Sequence, residues 1–129
     1  MANQEPVFPS SGPVAGTPYT PAIRAGNLLF ISGQLGIDPE TKRPHADFEK
    51  QVEGAIASVR ALVEAAGGTL DDLVKTTVFL ADINNFARLN EIYSRHFREG
   101  LRPARSTFQV AALPLAADVE IEAIAYLER

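Results

Sequence analysis

Arg105 is the first residue whose type and position suggest chemistry, because it follows Pro103-Ala104 and opens a predicted strand. A guanidinium can hold a carboxylate by two parallel hydrogen bonds, which suits a clamp for an acidic ligand. Alternation along the strand would place Thr107 and Gln109 on the same face as Arg105. Taken alone, such an arginine is more often a surface residue paired with a nearby acid, and the sequence leaves both interpretations open.

Two carboxylates, Glu120 and Glu122, interrupt the last apolar segment of the chain. Their spacing places both on one face of a strand, opposite Val119, Ile121 and Ala123. A carboxylate in a cleft can act as a general base, and this is one interpretation of the pair. The other, which is the more common situation, is two solvated surface carboxylates.

Asn90 and Tyr19 are two further polar side chains at positions that need an explanation. Asn90 follows Phe86 by four residues on the apolar stripe of a predicted helix. A buried amide must be hydrogen-bonded, so Asn90 either ties down a neighbouring loop, which is the commoner role, or contacts a ligand. Tyr19 lies in a Pro-rich opening, where it is either a loop anchor or a hydroxyl offered to a pocket.

The elements that would position these residues follow from the spacing of apolar side chains. Two short apolar runs flank Gly26-Asn27, which predicts a β-hairpin whose second strand continues into Ser32-Gly33-Gln34. From Phe48 the apolar residues recur at helical spacing, with Asp47 as N-cap and Gly67-Gly68 as the stop signal.

The second half of the chain predicts one more helix and three more strands. We expect a short capped turn at Thr69-Leu70-Asp71-Asp72, followed by a strand from Val74 to Leu80 with Val74, Thr76, Val78 and Leu80 on one face. A helix should run from about Asn84 to Phe97, with Asp82 as its cap and an apolar stripe of Phe86, Leu89, Tyr93 and Phe97. Two strands, from Arg105 to Ala112 and from Asp118 to Leu127, should close the chain and be joined around Leu113-Pro114. β-branched residues favour the strands, and the recurrence of apolar residues every three to four positions favours the helix.

This order of elements predicts an α+β fold in which one mainly antiparallel sheet carries both helices on one face. We interpret residues 1–129 as a single domain and the Pro- and Gly-rich residues 1–17 as an irregular loop or edge segment. The uncovered face would carry Phe79, either Phe108 or Val110, and part of the 118–127 strand. An apolar patch of this kind usually marks an interface, so we expect self-association; a curled sheet that shields itself is the alternative.

Composition excludes several classes of function. The 129 residues carry a net charge of −4 and no cysteine, which disfavours a nucleic-acid protein and removes disulfide or thiolate chemistry. His45 and His96 lack metal-ligand spacing, and neither a dinucleotide-binding nor a phosphate-binding glycine motif is present. Neither a secretory signal nor a membrane span is visible, so a cytoplasmic location follows by default.

Six segments in the expected order give the sequence a resemblance to the reactive intermediate deaminase (Rid, or YjgF-like) family, closest to its RidA branch. They are Pro18-Tyr19, Gly26-Asn27 with Ile31-Ser32-Gly33-Gln34, Glu64-Ala65-Ala66-Gly67, Val74-Lys75-Thr76-Thr77-Val78-Phe79, Pro103-Ala104-Arg105-Ser106 and Val119-Glu120-Ile121-Glu122-Ala123. The resemblance runs from about Pro18 to the C terminus.

The resemblance implies a chorismate-mutase-like α+β fold and a homotrimer with pockets between subunits. It also implies hydrolysis of small 2-imino acids, such as 2-iminobutanoate and 2-iminopropanoate, and of their enamine tautomers to 2-keto acids and ammonia, with no cofactor and no metal. The partners would be the 2-imino or keto acid and further copies of the chain.

The same resemblance implies roles for individual residues. Arg105 would clamp the substrate carboxylate, and Glu120 would position or activate the attacking water. The other pocket residues would be Tyr19, through its hydroxyl, Ser32 and Gly33, through the loop backbone, and Asn90, from the second helix. Many RidA-like proteins carry cysteine where this sequence has Thr107, a departure that we interpret as a change in pocket size or substrate preference.

Three other functions stay open at this point. A divergent member could deaminate a larger enamine such as 2-aminomuconate. A non-catalytic trimer could bind small carboxylates or another protein. The family has also been described as translation inhibitors with ribonuclease activity, which the acidic charge and the absence of a plausible histidine pair disfavour.

Overall fold

Six strands form one sheet in a computed structural model that describes residues 3–10 and 17–128. The strands are β1 (Gln4–Val7), β2 (Ala22–Ala25), β3 (Leu28–Gln34), β6 (Leu73–Leu80), β7 (Ala104–Gln109) and β8 (Val119–Tyr126), while β4 (Ile37–Asp38) and β5 (Arg43–Pro44) pair separately. The sheet order is β1-β2-β3-β8-β6-β7. Strands β6 and β7 pair in parallel, and the pairs β1–β2, β2–β3, β3–β8 and β8–β6 are antiparallel.

Among the described residues there are two α-helices, α1 (Phe48–Ala65) and α2 (Phe86–Tyr93). The Asp47 side chain caps α1 by accepting the Lys50 N–H at 3.0 Å, as predicted. Gly67 follows with a φ of 90°, a conformation that suits glycine and ends the helix. The predicted turn at Thr69 is also present, since Thr69 and Asp72 form a capping box at the short 3₁₀ helix Leu70–Asp72.

The two faces of the sheet differ in what covers them. The helix face carries the buried side chains of the core, among them Leu29, Ile31, Val78, Leu80, Val119, Ile121, Ala123 and Ala125. The opposite face, which we call the open face, exposes large apolar side chains, including Phe30 at 44%, Phe108 at 51% and Tyr126 at 44%. Phe79 and Phe108 pair there with ring centroids 6.3 Å apart. The predicted α+β class and the uncovered apolar face are therefore confirmed.

Several predicted boundaries were wrong for identifiable reasons. Val74 was expected on the same face as Thr76, Val78 and Leu80. Those three are buried, but Val74 is 47% exposed because the pairing of β6 with β8 shifts between Leu73 and Lys75, which buries Leu73 instead. The second helix is shorter than the predicted 84–97. Ile83–Asn85 is a 3₁₀ turn capped by Asp82, and bonds between residues three apart replace the α-helical pattern after Tyr93. Strand β7 ends at Gln109, not Ala112, because its partner β6 ends at Leu80.

The N-terminal segment, which was expected to be an irregular loop or edge segment, contains an edge strand. Gln4–Val7 forms an edge strand paired with β2, and an edge position tolerates Pro6, which lacks an N–H. The part of this segment at 11–16 lies outside the described residues. Across residues 3–10 and 17–128, no helix is long and apolar enough to cross a membrane.

Candidate functional site

Arg105 lies on the helix face of the edge strand β7, next to Thr76 of β6. Its Nη2 donates to Asn90 Oδ1 at 2.6 Å, so helix α2 holds the guanidinium in place. The guanidinium carbon also lies 4.8 Å from the centroid of the Tyr93 ring and 5.6 Å from that of Phe86. Cation–π attraction of this kind adds to the hydrogen bond, and together they restrict the orientation of the cation.

The contacts of Arg105 come from one face of α2. Phe86, Asn90 and Tyr93 are spaced four and three residues apart, which stacks them on the same side of a helix. The Tyr93 hydroxyl shares a hydrogen bond of 2.8 Å with the buried Thr76 hydroxyl. Burial raises the pKa of Tyr93, against the opposing effects of the Thr76 hydrogen bond and the Arg105 charge, so this phenol stays neutral.

Sequence reasoning assigned Phe86 and Tyr93 only to the core and missed their contact with Arg105. Phe86 is in fact 41% exposed, although Tyr93 is buried as expected. The sequence signal was the recurrence of two aromatic residues and an amide at helical spacing. This pattern could be interpreted as a site for Arg105 only after the structure had placed β7 beside α2.

Thr107 lies two residues beyond Arg105, and the alternation of β7 directs both side chains to the helix face. Among the described residues, its Oγ1 is the buried side-chain polar atom without a hydrogen-bond partner. A buried hydroxyl without a partner has lost its hydration with no compensating bond, which is uncommon in folded proteins. Thr107, whose presence was interpreted above as a change in pocket size or substrate preference, therefore lies beside Arg105.

Arg105 has no carboxylate within 4.0 Å in the described part of the chain. Other arginines nearby behave differently, because Arg88 of α2 and Arg95, two residues after this helix, both pair with Glu49 and Glu91. Arg105 instead faces a cleft of about 390 Å³. Its positive charge is thus offered to the cleft, as the clamp interpretation requires.

Glu120 lies on the open face of β8, where it pairs in register with Phe79 of β6. Burial raises the pKa of Glu120, and repulsion by Glu122 raises it further. Gly33 of β3 lies directly against the carboxyl group, since a Cβ built on Gly33 would approach Glu120 Cδ to 2.7 Å. The absence of a side chain at residue 33 therefore makes room for the carboxylate.

Ser32 lies on the open face with Phe30 and Glu122, and Tyr19 precedes the loop residues that Ser32 holds. The pairing of β3 with β8 is irregular between Ile31 and Gln34, the segment that contains Ser32 and Gly33. Ser32 holds the preceding loop, because its Oγ donates to Thr20 O at 2.7 Å and its N–H to Pro21 O at 2.8 Å. Tyr19, next to that loop anchor, is 60% exposed.

A buried amide that the sequence did not suggest secures the start of β8. Gln51 of α1 accepts the Asp118 N–H at 2.9 Å, and its Nε2 donates to His45 O at 2.7 Å and to Asp118 Oδ2 at 3.2 Å. These bonds tie helix α1 to the residue just before β8, two positions from Glu120. Gln51 thus acts on the site only through the position of the strand.

The candidate residues therefore form two groups on opposite faces of the sheet. The helix-face group contains Arg105, Asn90 and Thr107, and the open-face group contains Glu120, Ser32 and Gly33, with Tyr19 adjoining. Strand β6 separates β7 from β8, so one chain does not bring Arg105 and Glu120 into one cleft. Within residues 3–10 and 17–128, no group of three or more His, Asp or Glu side chains could hold a metal ion.

Comparison with known proteins identifies the family. Residues 10–127 match the family described as endoribonuclease L-PSP. The chain is similar to a chloroplastic protein of Arabidopsis thaliana named reactive intermediate deaminase A, with 46% identity over 125 residues, which cover 96% of this chain and 66% of that protein.

Solved structures agree with this assignment. RidA from an Antarctic Psychrobacter has a TM-score of 0.87 at 43% identity, covering 95% of this chain and 99% of that one. E. coli TdcF, crystallised with bound serine, has a TM-score of 0.86 at 39% identity, covering 95% and 98%. The matched family model covers nearly the whole chain, so the protein belongs to the endoribonuclease L-PSP family, the family of the reactive intermediate deaminase (Rid, YjgF-like) proteins that its sequence resembles.

Proposed function

We propose that this protein is a cytoplasmic homotrimeric deaminase that hydrolyses small 2-imino acids and enamines, such as 2-iminobutanoate and 2-iminopropanoate, to 2-keto acids and ammonia. The observation that carries the proposal is Arg105, a cation oriented by Asn90 and two aromatic rings that has no carboxylate partner in the described chain. A 2-imino acid supplies that carboxylate. The deaminase name of the Arabidopsis relative and the serine bound to TdcF support the same class of ligand.

The proposed reaction uses water as the nucleophile. Arg105 fixes the substrate carboxylate, and Glu120 accepts a proton from the water that adds to the C=N carbon. The substrate reacts as the protonated imine, so addition of water gives a neutral carbinolamine. Glu120 passes its proton to the carbinolamine nitrogen, the C–N bond breaks to release ammonia, and the hydroxyl proton moves to the Glu120 carboxylate as the C=O bond of the 2-keto acid forms. Ammonia then takes that proton and leaves as ammonium, which restores the carboxylate. Burial raises the pKa of Glu120, which makes its carboxylate a stronger acceptor for the proton of the attacking water. Hydration of an imine requires no redox or metal group, so the proposal includes no cofactor.

Assembly is part of the proposal because the two groups lie on opposite faces of one chain. A neighbouring copy that covers the open face would bury Phe30, Phe108 and Tyr126 and could bring its own Arg105 to the Glu120 of the first chain. Changing Phe108 to Asp should therefore lower both the mass measured by sedimentation velocity and the rate of hydrolysis. A wild-type mass of one chain would contradict the assembly.

The reaction is tested by coupling the protein to a threonine dehydratase and measuring 2-oxobutanoate release with and without it. Loss of a charge-assisted bond worth about 1.5–3 kcal/mol predicts that Arg105→Ala lowers kcat/KM by roughly one to two orders of magnitude. Arg43→Ala, which removes an exposed arginine of β5, is the matched control and should retain the wild-type rate.

Glu120 and Glu122 provide a second matched pair, because both lie on the same face of β8. Glu120→Gln should abolish most of the increase in 2-oxobutanoate release that the wild-type protein causes, whereas Glu122→Gln should reduce this increase far less. If Arg105→Ala accelerates imine hydrolysis as much as the wild type, the clamp is wrong. If 2-oxobutanoate binds in an Arg105-dependent way but no imine is turned over, the protein is a carboxylate-binding trimer and not an enzyme.

A further inference from the structure

A second arginine lines the cleft that contains Arg105. The walls of this cleft are formed by Asn90, Tyr93, Ser94, Arg102, Pro103 and Arg105. Arg102 and Arg105 are three residues apart, so their Cα atoms are separated by at most about 10 Å of extended chain. Two long cationic side chains can therefore approach one small ligand from neighbouring positions.

The charge of Arg102 is also available to a ligand. Its Nε donates to Phe97 O at 3.4 Å, which tethers one edge of the guanidinium and leaves its two Nη groups for other partners. In the described chain no carboxylate lies within 4.0 Å of Arg102, although Arg98, four residues earlier, pairs with Asp71. The cleft consequently contains two guanidinium groups and no opposing acid from those residues.

The backbone between the two arginines limits how they can move relative to each other. Pro103 fixes its own φ and favours an extended conformation at Arg102, and β7 begins at the next residue, Ala104. Arg105 itself is held by Asn90 and the Tyr93 ring. One cation is thus rigidly oriented, and the other is attached to the same short segment beside it.

We propose that Arg102 forms a second anion subsite, so that the preferred ligand of this cleft is a 2-imino or 2-oxo acid with a second carboxylate at its far end. This inference rests on the proposed function and specifies its substrate class. Arg105 binds the carboxylate next to the reacting carbon, and Arg102 binds the distal one. A monocarboxylate such as 2-oxobutanoate leaves the second cation without a partner.

Stable keto acids serve as probes of the subsite. Isothermal titration of the full-length protein with 2-oxoglutarate and with 2-oxobutanoate measures the preference directly. Because Arg102 is exposed to solvent, which weakens an ion pair, we expect 2-oxoglutarate to bind about three- to tenfold more tightly. Arg102→Gln should remove this preference without weakening 2-oxobutanoate, Arg102→Lys should keep part of it, and the control Arg43→Gln should keep all of it.

The outcomes separate this inference from the proposed function. Equal affinities in the wild type, binding of neither probe, or a preference that persists in Arg102→Gln overturns the second subsite, even if monocarboxylic imines are hydrolysed. A dicarboxylate preference that disappears in Arg102→Gln supports the subsite, even if no imine of either class is turned over, in which case only the deaminase proposal fails.

Discussion

Replacing Gly33 by alanine should displace the Glu120 carboxylate without damaging the fold. The new Cβ would lie 2.7 Å from Glu120 Cδ, whereas non-bonded carbon atoms prefer about 3.5–4.0 Å, so the carboxyl group must move by roughly 1 Å. The φ of Gly33 lies outside the left-handed region, so the backbone accepts alanine without strain. The obstructing atoms belong to the end of a flexible side chain, which can rotate away.

The kinetic consequence follows from that displacement. Misplacing a catalytic group by about 1 Å can cost on the order of a hundredfold in rate, and we expect a loss of this size in kcat for imine hydrolysis. Substituting alanine for glycine in a permitted conformation stabilises a protein by about 0.4–1 kcal/mol, so Tm should stay constant or rise slightly. A large rate loss without a loss of stability is the expected signature.

A double-mutant cycle with Glu120→Ala tests whether the alanine acts through the carboxylate. If it does, Gly33→Ala should have almost no effect once Glu120 has been removed, because the two changes are not independent. Steady-state kinetics of the four proteins in the dehydratase-coupled assay give the coupling. Wild-type activity in Gly33→Ala, or an equal further loss in the Glu120→Ala background, would show that the reasoning about this contact is wrong.

Two further predictions concern Tyr93 and Glu120. Tyr93→Phe removes the hydroxyl that pairs with buried Thr76, so it should lower the free energy of unfolding by about 1–3 kcal/mol in chemical denaturation and leave the KM near the wild-type value. Tyr93→Leu also removes the ring beside Arg105 and should raise the KM. Equal KM values for the two variants would contradict a role of the ring. The folded protein binds the Glu120 proton more tightly than the unfolded chain does, so wild-type stability should fall as pH rises from the ordinary value of 4.5 through the raised pKa of Glu120. When Tm is measured from about pH 4 to 8, the Tm of Glu120→Gln should therefore rise relative to that of the wild type as pH increases. A Tm difference that does not change with pH would refute this.

Local elements were largely predictable because their signals lie within a few residues. The Gly26-Asn27 hairpin, the Asp47 cap and the Thr69 capping box each depend on neighbours no more than a few positions away, and all three were confirmed. Val74 was misplaced because a bulge depends on how β6 pairs with β8, which is a long-range property. The end of β7 was misplaced for the same kind of reason, since a strand stops where its partner does.

The sequence by itself determined the candidate residues, since the types and spacing of Arg105, Glu120 and Asn90 singled them out and the family resemblance gave each an expected role. Only the tertiary structure decided how they are distributed. The parallel pairing of β7 with β6 turns Arg105 toward α2, and the antiparallel pairing of β8 with β6 turns Glu120 to the open face. Side chains alternate along every strand, so the face that each residue occupies depends on pairing register, and register is set by contacts between segments that are distant in the chain.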